Sequence, residues 1–194
     1  MLLRVLTVAI TVLLALAPSA RPATAQQAVD LELVLAVDIS LSMDFDELRV
    51  QRDGYVAALR DPDLHRLMLD GPHRRIAVAY FEWAGRSVQK EILPWTLVDS
   101  PEAALAVAHI LEKAPISRER MTSISGALDY AADLFASSPF KGTRRVVDIS
   151  GDGPNNNGRM VTLARDELIA KGIVINGLPI MMKQGGTVFD IKNL

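Results

Sequence analysis

Asp38, Ser40 and Ser42 alternate through the string Asp38-Ile39-Ser40-Leu41-Ser42, which places three oxygen-bearing side chains at every second position. A loop leaving a strand can curl so that alternate side chains converge on one point, while Ile39 and Leu41 turn back into the protein. Asp38 brings a full negative charge, and the two hydroxyls bring neutral oxygen. This hard, all-oxygen set suits Mg2+, Mn2+ or Ca2+ and not zinc or copper. With few charged ligands a bound ion stays electrophilic, so a partner's carboxylate can fill an open position. Standing alone, the same string also reads as a polar start to a helix capped by Ser42. Two further oxygen sources favour the metal reading: Thr122, just ahead of a helical segment, and Asp152, in a Gly-Asp-Gly-Pro turn after an apolar run.

Those residues are far apart in the chain, and only a particular arrangement of elements brings them together. Residues 31–37 (LELVLAV) form an apolar run that stops at Asp38, as a strand buried on both faces does. Asp44 and Glu47 are spaced as a capping box ahead of a helix over 46–59, and residues 60–74 read as a connection with room for a helical turn. A second strand covers 75–83. A turn at 84–86 leads to a third strand over 87–93, antiparallel to the second because so short a loop allows only a hairpin. Pro94 and Pro101 punctuate the next stretch. Helices follow over 102–113 and 125–135, then a fourth strand over 145–150, a helix over 160–170 stopped by Lys171-Gly172, and a fifth strand over 173–180. Residues 187–191 could begin another element. The alternation predicts an α/β fold: a doubly wound, mostly parallel sheet with one antiparallel edge strand. Ligands of such sheets bind beyond the carboxyl ends of the strands, where the strand order reverses. An order of 3-2-1-4-5 makes the strands ending at Asp38 and before Asp152 neighbours across that point.

Asp38-x-Ser40-x-Ser42, Thr122-x-Ile124-x-x-Ala127-Leu128 and Asp152-Gly153 after an apolar strand resemble the three parts of a metal-ion-dependent adhesion site. Their order and distances are similar to those of von Willebrand factor A and integrin inserted domains, over residues 31–180. The resemblance implies a Rossmann-like von Willebrand A fold in which Ser40, Ser42 and Thr122 coordinate a divalent cation directly. Asp38 and Asp152 then act close by or through water. The strings AVAYFEWAG, TSISGAL, RRVVDISGDGPNN and INGLPI are further similar to a bacterial family of exported A-like proteins of unknown function. Gly151 stands where many A domains have Thr. The sixth strand and last helix that the resemblance implies do not follow residue 180, so the chain reads as truncated, with one edge and one face of the sheet uncovered.

Other polar residues read as structural. Asp44, Asp46 and Glu47 suit the first turn of a helix. Asp148, inside an apolar strand, needs a partner such as Arg120 or Arg144. The run Asn155–Asn157 reads as a turn. His65, His73 and His109 lack metal-ligand spacing, and Trp83 and Trp95 read as packing.

Residues 1–25 read as a signal peptide: Arg4, an apolar run to Ala17, Pro18, and Ala23-Thr24-Ala25 as the cleavage pattern. The run is too short to span a bilayer, so no stable membrane insertion is expected after cleavage. Residues 26–194 then form the A-like domain. Removing 1–25 takes away two arginines and no acid, which moves the formal charge from −2 to −4. That balance, with no basic stripe, gives no footprint for nucleic acid. The absence of cysteine excludes thiol catalysis, thiolate zinc sites and iron–sulfur clusters, and fits a bacterial periplasm or cell exterior. The leading expectation is an exported adhesion or scaffold module that binds a protein ligand through an Asp or Glu on the cation. A metal-dependent hydrolase at the same site and a metal-free envelope scaffold are the alternatives. The hydrolase reading lacks a nucleophilic Asp-x-Asp pair beside the ion, a phosphate loop, and any His near the motifs.

Overall fold

The computed structural model describes residues 26–180; the leader over 1–25 and residues 187–191 lie outside them. The elements run β1 (Gln27–Asp38), α1 (Phe45–Arg60), α2 (Pro62–Met68), β2 (Ile76–Trp83), β3 (Gln89–Val98), α3 (Pro101–Lys113), α4 (Ile124–Ala136), β4 (Phe140–Gly151), α5 (Val161–Ala170) and β5 (Val174–Pro179). They form one sheet in the order β3-β2-β1-β4-β5. Every neighbouring pair is parallel except β2 and β3.

The continuous apolar run of β1 follows from a sheet covered on both sides. Val34 and Ala36 face α4 and α5 with Phe81, Trp83 and Val147, while Leu35 and Val37 face α1 and α3 with Val78 and Tyr80. Trp83 lies in the first of these cores, and Trp95 packs on Phe135 and donates to the Leu134 carbonyl at 3.0 Å. Among the described residues β5 pairs with β4 alone, and it leaves Val174 and Leu178 exposed.

Two strands differ from the sequence reading. β3 runs through Pro94, which reads as a break, because it is an edge strand and an edge position needs no ladder donor. The register slips there: Val78 faces Thr96 and Tyr80 faces Leu93, so Pro94 and Trp95 share the space opposite Ala79. β4 begins at Phe140, five residues early, because Gln27–Val29 extend β1 far enough to pair with it. The helical turn expected in the connection over 60–74 is α2, capped by Asp61 with Pro62 in its first turn. Asp148 is also placed differently. It accepts from Asn176 Nδ2 at 2.7 Å, across the β4–β5 pair, and not from Arg120 or Arg144. The neighbouring strand supplies a neutral donor at the matching register, Asp148 opposite Asn176.

One buried ion pair fastens α1 to the rest. Arg52 meets Glu82 and donates to the carbonyls of Leu111 and Ala114 at 2.7 and 3.1 Å and to Tyr80 at 3.2 Å. It therefore caps the end of α3 from α1. Burial pushes the Glu82 carboxyl above its ordinary range, and Arg52 and then Lys90 oppose that shift. Arg52→Met should destabilise the protein by about 3–5 kcal/mol in urea unfolding, because it removes the buried partner of Glu82 and leaves the carboxylate only Lys90, at 3.7 Å. Adding Glu82→Met should recover part of the loss, with the two α3 carbonyls still lacking their donor.

Candidate functional site

Asp38 ends β1 at the switch point between β1 and β4, and it is fully buried. Its Oδ1 accepts from the Ser40 N–H at 2.7 Å, which curls the loop back over the strand end. Its Oδ2 is buried without a well-formed hydrogen bond. Gly151, at the end of β4, lies against it; a Cβ there would come within 2.7 Å of Oδ2. Gly at the position where many A domains have Thr therefore leaves the carboxylate its space.

The alternate spacing of Ser40 and Ser42 does converge. Their hydroxyls lie 2.8 Å apart, and Ser42 Oγ donates to Asp152 Oδ1 at 2.6 Å. A chain of oxygen atoms thus crosses from the β1 loop to the β4 loop. Capping of α1 holds the β1 loop from its other end: the Asp44 carboxylate accepts from Asp46 N–H and Glu47 N–H, and Glu47 accepts from Asp44 N–H. Asp46 further pairs with Arg49. From within α1, Gln51 Nε2 donates to the Asp38 carbonyl at 3.0 Å.

Thr122 arrives on a third loop, buried and next to the N-cap Ser123 of α4. The loop reaches β1 directly: Glu119 N–H donates to the Ile39 carbonyl at 2.8 Å, and Ser40 and Glu119 form a parallel bridge. What holds Thr122 itself is the asparagine run, whose role the sequence reading missed. Asn156 Oδ1 accepts from Thr122 N–H at 2.8 Å, and Asn156 N–H donates to the Thr122 carbonyl at 2.9 Å. Asn155 accepts from Ser125 N–H at 3.2 Å, and Asn157 from Arg86 N–H at 2.7 Å. Three consecutive asparagines after Asp-Gly-Pro are thus three staples between loops. Their run length was the available signal, but it names no partners.

The donor set is two carboxylates and three hydroxyls, and it fits a hard divalent cation. The buried Oδ2, which has no well-formed hydrogen bond, supports that fit, because an incompletely satisfied buried charge is stabilised by positive charge nearby. Among the described residues, no three His, Cys, Asp or Glu side chains gather as an alternative ligand group. Burial raises the Asp38 carboxyl to about 6, reinforced by the charge of Asp152 and opposed by the Ser40 N–H and hydroxyl and by the Asp152 N–H.

This sheet, its switch point and the loops above it define a von Willebrand factor A-like domain. Among solved structures it resembles proximal thread matrix protein 1 from the mussel byssus, described with a zinc-occupied MIDAS motif (TM-score 0.63, 14% identity). That match covers 78% of this chain and 38% of the mussel protein, so the chain corresponds to well under half of that relative. An aerotolerance-related membrane protein from Bacteroides fragilis matches with TM-score 0.56 and 22% identity, over 84% of this chain and 79% of that one. At such identities the likeness is one of fold. No curated protein matches the sequence. The model of the family described as Protein of unknown function (DUF1194) matches residues 28–194, and the chain belongs to that family.

Two outcomes follow from the geometry. The folded Asp38 carboxyl titrates above its unfolded value of 3.8, so the metal-free native state binds a proton more tightly than the unfolded chain. Its contribution to stability therefore rises as pH falls from about 6 toward 4. In EDTA, the stability advantage of Asp38→Asn over the wild type should shrink by about 2 kcal/mol between pH 7.5 and pH 4.5. An advantage independent of pH would contradict the burial of the carboxylate. Separately, Asn156→Ala should expose the Thr122 amide to faster hydrogen exchange, while Asn156→Asp retains the acceptor and its protection.

Proposed function

We propose that this chain is an exported module that binds a protein partner through a divalent cation held by Ser40, Ser42 and Thr122. Asp38 and Asp152 balance the charge from nearby or through water. The observation that carries this reading is the hydrogen-bonded line from Ser40 through Ser42 to Asp152, beside a buried Asp38 oxygen that has no well-formed hydrogen bond. When bound, the cation supplies an electrophilic position that a carboxylate oxygen of the partner can occupy. The residues of this chain do the rest. Asp38 orients the loop through the Ser40 amide, Ser42 joins the two loops, and Asn156 fixes Thr122. The zinc-occupied motif described for the mussel protein supports a divalent ion and extends the candidates beyond Mg2+, Mn2+ and Ca2+.

Binding is favoured over hydrolysis by what surrounds the site. His65 sits against the Leu59 carbonyl at the far end of α1, and His109 lies beside Glu112 on α3. Asp44 and Asp46 serve the first turn of α1. His73 binds Asp30 near the start of β1, so among the described residues no histidine stands beside the oxygen set to act as a general base. No helix among the described residues is long and apolar enough to cross a membrane. Export is supported by the leader pattern over 1–25, and N-terminal sequencing of the mature protein should begin after Ala25.

Thermal unfolding in graded Mg2+, Mn2+, Ca2+ and Zn2+ tests the cation directly. An ion at 100-fold its dissociation constant should stabilise the fold by about 2.7 kcal/mol, a rise in Tm of roughly 5–10 °C. Asp38→Ala should abolish the rise. No shift with any of the four ions would remove the metal from the reading, and turnover of phosphate or ester substrates by the loaded protein would replace binding with catalysis.

A further inference from the structure

The loops that carry the oxygen set also carry a rim, and its composition is informative about the partner. Leu41, Phe45 and Met121 are 49%, 49% and 55% exposed. Leu41 and Met121 stand on loops that run side by side through the Ser40–Glu119 bridge. Arg118 joins two of the three, donating to the Leu41 carbonyl and standing over the Phe45 ring at 5.4 Å. Met121 also has a left-handed backbone, with φ of 70°. A non-glycine residue rarely adopts that conformation, because its Cβ crowds the following carbonyl oxygen. An exposed methionine kept there, directly before Thr122, is a cost that packing does not explain.

The charges on the same rim point the same way. Arg86 and Arg120 are exposed, and neither they nor Arg118 has a carboxylate partner among the described residues. Arg86 joins the site through Asn157, and the Arg120 carbonyl and Met121 Cβ crowd the same Gly85. The acids nearby are otherwise occupied, with one exception. Asp44 accepts the amides of the first turn of α1, Asp46 pairs with Arg49, and Asp129 and Glu167 hold Arg159; Glu119 alone stands exposed beside the arginines. Guanidinium groups left without carboxylates at a rim are ready for bidentate pairing with a visiting one.

We propose that the rim selects an acidic, partly apolar segment of a partner protein. One carboxylate goes to the cation, an adjacent apolar side chain rests on Met121 and Leu41, and a second acid pairs with Arg86 or Arg120. This inference rests on the carboxylate-binding reading of the oxygen set and deepens it by naming the sequence chemistry of the ligand.

The test uses the mature chain loaded with Mn2+, exposed to a displayed library of short random peptides with one fixed Glu, and eluted with EDTA. The eluted pool should be enriched roughly tenfold in a second Asp or Glu near the fixed one, equivalent to about 1.4 kcal/mol. It should also be enriched in an apolar neighbour. Arg86→Ser with Arg120→Ser should lose the second-acid preference, and Met121→Gly the apolar one. Both variants should keep the Mn2+ thermal shift, and Met121→Gly should not lose stability, since glycine relieves the left-handed backbone. EDTA-released peptides without these preferences, or with preferences unchanged in the variants, would overturn the rim proposal and leave carboxylate binding standing. A retained Mn2+ shift with no EDTA-released peptide at all would overturn both.

Discussion

Burying a carboxylate at the end of a central strand costs free energy unless donors or positive charge meet it, and Asp38 imposes that requirement on everything around it. One of its oxygens is answered by the Ser40 amide, which sets the curl of the β1 loop. The other is answered by no well-formed hydrogen bond, in a space kept open by Gly151. A protein that keeps such a group must draw a return from it. The convergence of Ser40, Ser42 and Asp152 beside that oxygen suggests where the return lies.

The site is held by the scaffold in two ways that differ in kind. Beneath it, α1 works as a rigid strut. Its first turn is capped by the loop that carries the serines, Gln51 reaches the Asp38 carbonyl, and Arg52 ties Glu82 of β2 to the end of α3. Above it, the loops are joined by side-chain amides. Asn155, Asn156 and Asn157 each accept a backbone N–H from a different segment, so the β4 loop anchors the Thr122 loop, the start of α4 and the hairpin turn at once. Loops stapled in this way can present oxygen atoms at defined positions without being elements of regular structure. The same staples carry the exposed arginines and Met121 to the rim, so preorganisation of the site and composition of its surroundings share one cause.

Sequence patterns were read correctly where the physics was local or periodic. The apolar run ending at Asp38, the capping box at Asp44 and Glu47, and the alternation of strands and helices follow from neighbours within a few residues. The strand order required one general rule about open α/β sheets, and it places β1 beside β4 as expected. Pairing between distant segments was not legible. The early start of β4 depends on Gln27–Val29, over a hundred residues away, and the passage of β3 through Pro94 depends on its being an edge.

By itself, then, the sequence determined which residues could supply oxygen: Asp38, Ser40, Ser42, Thr122 and Asp152 each sit where a strand ends or a helix begins, and such boundaries are written locally. Only the tertiary structure decided how they are held. The partners of the three asparagines lie 30, 34 and 71 positions away, and no spacing rule names them. Nor could spacing show that one Asp38 oxygen would lack a well-formed hydrogen bond. That depends on which backbone lies beside it, and that backbone is Gly151 of the neighbouring strand, brought there by the β1–β4 pairing that sets Val37 opposite Ser150.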